Sequence, residues 1–75
     1  SATSITLLPA LPAQWKDGSV QGICARGGFV VDMDWKDGRV TRLHITSRKG
    51  GKTRVFFNGQ SKKISLKANE SKQIL

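Results

Sequence analysis

Phe29-Val30-Val31-Asp32-Met33-Asp34-Trp35-Lys36-Asp37-Gly38-Arg39-Val40-Thr41-Arg42-Leu43-His44-Ile45-Thr46-Ser47 reads as one β-hairpin. Side chains alternate across a strand, so Phe29, Val31, Met33 and Trp35 share an apolar face. Val30, Asp32 and Asp34 share the other. On the return strand Leu43 and Ile45 are the apolar set, with Arg42, His44 and Thr46 between them. The turn Lys36-Asp37-Gly38-Arg39 chooses the register. A plain two-residue Asp-Gly loop would set Met33 against Arg42 and mix the two faces. A three-residue loop with glycine in a positive-φ bulge pairs Met33 with Leu43 and Val31 with Ile45. It also sets Asp34 opposite Arg42 and Asp32 opposite His44. This second register keeps each face consistent and is the one predicted. Its polar face becomes a row of cross-strand ion pairs, each worth under about 1 kcal/mol.

Working outward, the same strand chemistry recurs. Ile5 to Leu8 reads as a first strand, stopped by Pro9 and Pro12, which cannot donate to a ladder. Val20 to Ala25 is a second, entered through Asp17-Gly18. Gly27-Gly28 supplies a turn or bulge at positive φ. Past the hairpin, Arg48 to Lys52 is a polar loop and Thr53 to Phe57 a strand closed by Asn58-Gly59. Lys62 to Leu66 alternates with Ile64 and Leu66 inward, and Glu70 to Leu75 can add a last strand. No stretch carries a sustained helical repeat. The expected fold is all-β: one domain, residues 1–75, built as a small antiparallel β-sandwich of six or seven short strands.

A 75-residue chain buries only about 60% of its unfolded surface, so its stability is expected to be marginal. A deep pocket with rigid walls is hard to build at this size. Charge is uneven. Residues 1–38 carry Lys16, Arg26 and Lys36 against Asp17, Asp32, Asp34 and Asp37, a balance of −1. Residues 39–75 carry ten basic groups against Glu70 alone, a balance of +9. Basic residues spread singly over several strands read as a solvated surface or one facing an acidic neighbour. Cys24 is the single cysteine, which rules out an intrachain disulfide, and its strand position predicts a buried, inert thiol. No run approaches the roughly 18 apolar residues of a membrane span, and the first residues do not form a signal peptide.

Candidate chemistry is sparse. Asp32 and Asp34 lie about 6.6–7 Å apart on one strand face, near the roughly 6.5–9.5 Å of an inverting glycosidase pair. They project in parallel from one surface, however, instead of flanking a bond, and Arg42 and His44 oppose them; surface pairing is the expected role. His44 is the one histidine, and no serine sits in a Gly-x-Ser-x-Gly elbow. Gly27-Gly28 and Gly50-Gly51 lack the spacing of a phosphate loop. No catalytic residue, metal or cofactor is therefore assigned. Trp15 and Trp35 are candidates for stacking on a sugar ring; Trp35 falls on the apolar face and is expected in the core. Arg26, beside Gly27-Gly28, can clamp a carboxylate or diol, or satisfy turn carbonyls. Phe56 and Phe57 with Arg54, Lys62 and Lys63 make a basic-aromatic set, but adjacent phenylalanines face opposite ways. No RNA-binding signature accompanies them, so nucleic acid is not the expected partner.

Leu7-Leu8-Pro9-Ala10-Leu11-Pro12 with Trp15, Gly18-Ser19-Val20 with Gly22 and Ala25-Arg26-Gly27-Gly28-Phe29, and Val31-Asp32-Met33 with Trp35-Lys36-Asp37-Gly38 follow one another in the order and spacing of a known domain. Over roughly residues 5–46 the chain resembles the C-terminal β-domain of glycoside hydrolase family 95, a family of bacterial fucosidase-like enzymes. Val30 departs from it, standing where the family often has glutamate. The resemblance implies a parent enzyme acting with inversion on α-L-fucosides or related sugars. Its catalytic carboxylates would lie in an upstream helical barrel, so none maps onto this chain. It further implies a structural role here, with that barrel as partner and Leu7, Leu8, Leu11 and Trp15 as the packing edge. Trp15 and Arg26 are possible sugar contacts, and a periplasmic or extracellular location follows from the resemblance alone.

Overall fold

The computed structural model describes residues 3–6 and 16–75 and places them in strands joined by short turns. Seven strands follow in order: β1 (Thr3–Thr6), β2 (Gly18–Ala25), β3 (Phe29–Lys36), β4 (Arg39–Ser47), β5 (Gly51–Phe57), β6 (Gln60–Leu66) and β7 (Ser71–Gln73). They form two sheets, one ordered β1-β5-β6 and the other β2-β3-β4-β7. The all-β expectation holds, and every described pair is antiparallel save β1–β5. A parallel pair needs a long crossover. Here the whole β2-β3-β4 meander supplies it, by leaving the first sheet and returning. The first strand sits two residues earlier than its expected Ile5–Leu8 span, and Leu7 and Leu8 lie outside the described residues.

The core lies between the sheets. Phe29, Val31 and Met33 of β3 and Val40, Leu43 and Ile45 of β4 face Ile5, Val55, Phe57, Ile64 and Leu66 from the other sheet. Alternation accounts for those on β3, β5 and β6, where the residues between are exposed or half-buried. Trp35, expected in the core, is half-buried and packs against its edge. A Cβ on Gly18, its cross-strand partner, would sit 2.2 Å from the indole ring. The glycine is there so that the ring can lie across the backbone.

The β3–β4 register is the predicted one: Val31 pairs with Ile45, Asp32 with His44, Met33 with Leu43 and Asp34 with Arg42. The device that produces it differs. Lys36 pairs with Arg39, so the loop is the two-residue Asp37-Gly38 turn, with φ of 51° and 76°. Both signs are those of a type I′ hairpin. The extra residue sits further down, where Asp34 pairs with Arg42 but Trp35 with Val40, leaving Thr41 unmatched. A bulge in the strand thus corrects the faces that the tight turn alone would have mixed.

That bulge is tied to the other sheet. Asn58, in the Asn58-Gly59 turn between β5 and β6, accepts the Val40 N–H at Oδ1 over 2.9 Å. Its Nδ2 donates to the Val40 carbonyl over 2.8 Å. One side-chain amide therefore closes both backbone groups of the residue beside the bulge. At the opposite end, Ser47 is fully buried where the chain leaves β4. Its N–H donates to Glu70 O, its carbonyl accepts from Asn69 N, and its hydroxyl accepts from Gly50 N. Gly50 has a φ of +79° and a Cβ there would come within 3.0 Å of the Ala68 nitrogen. The last strand then pairs along β4, Thr46 against Ser71 and His44 against Gln73. The final residues extend that edge through Ile74 N to Leu43 O and Leu43 N to Leu75 O.

Candidate functional site

The one place where carboxylates gather on a strand face is the outer side of β3, and its geometry is set by a break in β2. Val20 pairs with Met33 and Ile23 with Val31, so β2 carries an extra residue over Gln21-Gly22. Gly22 takes a φ of 74°, a conformation that costs an ordinary residue. Its N–H, turned out of the ladder, donates to Asp32 Oδ1 over 2.8 Å. Asp32 Oδ2 stands 3.6 Å from His44 Nδ1 on the opposite strand. Two residues on, the Ser19 hydroxyl donates to Asp34 Oδ1 over 2.7 Å. Asp17 acts similarly at the hairpin tip, accepting the Asp37 N–H over 3.0 Å, while Gly38 N donates to Lys16 O.

The expected row of ion pairs is thus only half present. Asp32 has His44, but Asp34, although opposite Arg42, is engaged by Ser19 and forms no ion pair among the described residues. The physical reason is competition: a short hydrogen bond from a neighbouring strand holds the carboxylate, while Arg42 extends into water from an exposed position. Both aspartates thereby fasten the edge strand β2 to β3. Each has an oxygen committed to a donor on β2.

The bulge also overturns the expectation for Cys24. Strict alternation from Val20 would point it inward; the extra residue reverses the parity, and Cys24 is exposed, opposite Val30. Ile23 takes the inward side but stays 39% exposed because β2 is an edge strand. Arg26 stands in the three-residue Arg26-Gly27-Gly28 loop, exposed, and makes no hydrogen bond among the described residues; the Gly28 carbonyl is taken by Arg48 N instead. Of the basic-aromatic set, Phe57 is buried and Phe56 is 37% exposed. Lys62 leaves the set too, its Nζ reaching the Ile74 carbonyl at 3.5 Å. Leu7, Leu8, Leu11 and Trp15 lie outside the described residues. No group of three or more His, Cys, Asp or Glu side chains among the described residues is placed to hold a metal, and no described helix is long and apolar enough to cross a membrane.

Sequence reasoning missed two features. An isolated glycine inside a strand, Gly22, is a bulge signal that was readable. The reach of Asn58 to Val40 is not, because it joins two sheets 18 residues apart in the chain.

Residues 1–74 match the sequence profile of the C-terminal domain of glycoside hydrolase family 95. The chain is 39% identical over 61 residues to "Alpha-L-fucosidase 2" of Arabidopsis thaliana, covering 80% of this chain and 7% of that protein. It is 50% identical over 56 residues to "Probable alpha-fucosidase A" of Aspergillus niger, covering 71% of this chain and 7% of that one. A protein of the same name from Aspergillus oryzae is 43% identical over 44 residues, 57% of this chain and 6% of its own length. The chain therefore spans a small fraction of the relatives it matches, and these are plant and fungal proteins.

Proposed function

Since the chain belongs to the C-terminal domain family of glycoside hydrolase family 95, we propose that it is the non-catalytic β-domain of a longer glycoside hydrolase. There it packs on, and supports, a helical catalytic barrel in the same polypeptide. The observation that carries this reading is the state of its carboxylates. Asp32 and Asp34, the pair with a spacing near that of a glycosidase, are held by Gly22, His44 and Ser19 as fasteners of β2. The small share of the matched relatives that the chain spans, 7% of the Arabidopsis protein, agrees with a part rather than a whole enzyme.

The parent's substrate in this proposal is an α-L-fucoside, hydrolysed with inversion by residues outside this chain. Leu7, Leu8, Leu11 and Trp15 form the edge that meets the barrel. In the sequence they follow the short strand β1 and precede β2. A bacterial, exported parent, periplasmic or extracellular, completes the reading and rests on the family resemblance over residues 5–46 alone. The pure chain, incubated with an aryl α-L-fucoside, is expected to release no aglycone above the buffer rate. Turnover by the chain itself would overturn the proposal.

A further inference from the structure

The outer face of the β1-β5-β6 sheet carries charge of one sign. On β5, Thr53, Val55 and Phe57 are inward, so Lys52, Arg54 and Phe56 face out; on β6, Ile64 and Leu66 are inward, so Lys63 and Ser65 face out. None of the five carboxylates of the sequence lies on β1, β5 or β6. Four are on or beside the β2–β4 meander, and Glu70 accepts the Lys67 N–H in the turn before β7.

The register makes this arrangement costly. Arg54 stands directly opposite Lys63, and Lys52 is two residues from Arg54 on the same strand, about 6.6–7 Å away along it. Like charges directly opposite destabilise a ladder. Screening at about 0.1 M salt, with its Debye length near 10 Å, does not remove the effect at this range. Among the described residues Arg54 has only the Ser61 hydroxyl, 3.4 Å from Nη1. Lys52 and Lys63 have no hydrogen-bond or ion-pair partner among the described residues. The same residues, Lys52, Arg54, Lys63 and Ser65 with Thr53 and Ile64, line a shallow depression.

We propose that this face binds a uronate-bearing polysaccharide. A guanidinium opposite an ammonium presents a fork and a point charge to one carboxylate, and the anion relieves the repulsion that the free sheet carries. The Ser61 and Ser65 hydroxyls are placed to exchange hydrogen bonds with sugar hydroxyls. Nucleic acid fits less well. Single-strand binders stack successive bases on several aromatics, and among the described residues this face offers Phe56 alone, Phe57 being inside. The choice of a polysaccharide over other polyanions rests on the glycoside hydrolase reading above; the anion site itself does not.

The test is thermal unfolding of the chain at low salt with polygalacturonate, with neutral dextran, and with a single-stranded oligodeoxynucleotide. Polygalacturonate is expected to raise Tm by several degrees, dextran to leave it unchanged, and about 0.5 M NaCl to abolish the shift. Lys63→Gln is expected to raise the Tm of the free chain by about 1–8 °C, because a like-charge pair is removed. The same variant loses the response to polygalacturonate. Lys52→Gln, exposed at the strand start, loses most of the response and serves should Lys63→Gln fold poorly. No shift with polygalacturonate, or an undiminished shift in both variants, overturns the proposal. A larger shift with the oligonucleotide than with polygalacturonate overturns it in favour of nucleic acid. A chain that neither binds polygalacturonate nor hydrolyses a fucoside would lose this inference and keep the accessory role.

Discussion

Asn58→Ala is expected to destabilise the fold by about 2–4 kcal/mol, read as a lower midpoint in urea unfolding. Two hydrogen bonds to Val40, at 2.9 and 2.8 Å, disappear together. Each is worth about 0.5–1.5 kcal/mol net, and more when the backbone group left behind is shielded from water. Val40 is such a residue, 3% exposed beside the bulge of β4. Alanine adds a backbone cost, because Asn58 sits at a φ of 51° and alanine resists the left-handed region that asparagine tolerates. Asn58→Gly separates the two effects: glycine accepts that φ freely, so its loss measures the clamp alone. For a domain of this size total stability is only about 3–5 kcal/mol, so the alanine variant should lose a large part of that margin. If both variants stay within about 0.5 kcal/mol of the parent chain, the amide does not hold the sheets together.

Phe57→Ala is expected to cost about 3–5 kcal/mol, whereas Phe56→Ala next to it should cost under about 1 kcal/mol. Phe57 is 2% exposed between the sheets and Phe56 is 37% exposed on the outer face of β5. Removing the inner ring leaves a cavity in the core cluster shared by the two sheets. Removing the outer ring returns an already wet surface to water. Urea titrations check the contrast: Phe56→Ala should keep a cooperative transition close to that of the parent chain, whereas Phe57→Ala should be largely unfolded before urea is added. Equal losses would mean that β5 is not oriented as described.

The contrast between these neighbours shows what the chain makes legible. Period-two alternation placed Phe29, Val31, Met33, Leu43, Ile45, Ile64 and Leu66 inward without reference to any coordinates, and all are buried. It worked because each lies on a regular stretch flanked by polar residues. It failed at Cys24, where the Gly22 bulge reverses parity. For the β3–β4 hairpin the register was legible while its cause was not. Facial consistency demanded one extra residue somewhere, and sequence alone could not tell a bulge in the loop from one at Thr41. The parallel β1–β5 pair was equally hidden, since direction depends on where a distant crossover returns the chain. For the site, the expected cross-strand pairing of the two aspartates held for Asp32 with His44. One of their partners was misassigned, because the Ser19 hydroxyl reaches Asp34 from a third strand and Arg42 does not engage it.

The most direct measurement is kcat for an aryl α-L-fucoside in the proposed longer enzyme, carrying Asp32→Asn together with Asp34→Asn. It should be taken at a temperature where both proteins remain folded by circular dichroism. If these carboxylates only fasten β2 to β3, kcat stays within about twofold of the unsubstituted enzyme, while the unfolding temperature falls. Removal of a general acid or base costs about 10²–10⁴-fold. A loss of that size with the fold intact would contradict the account and place this domain in the active site.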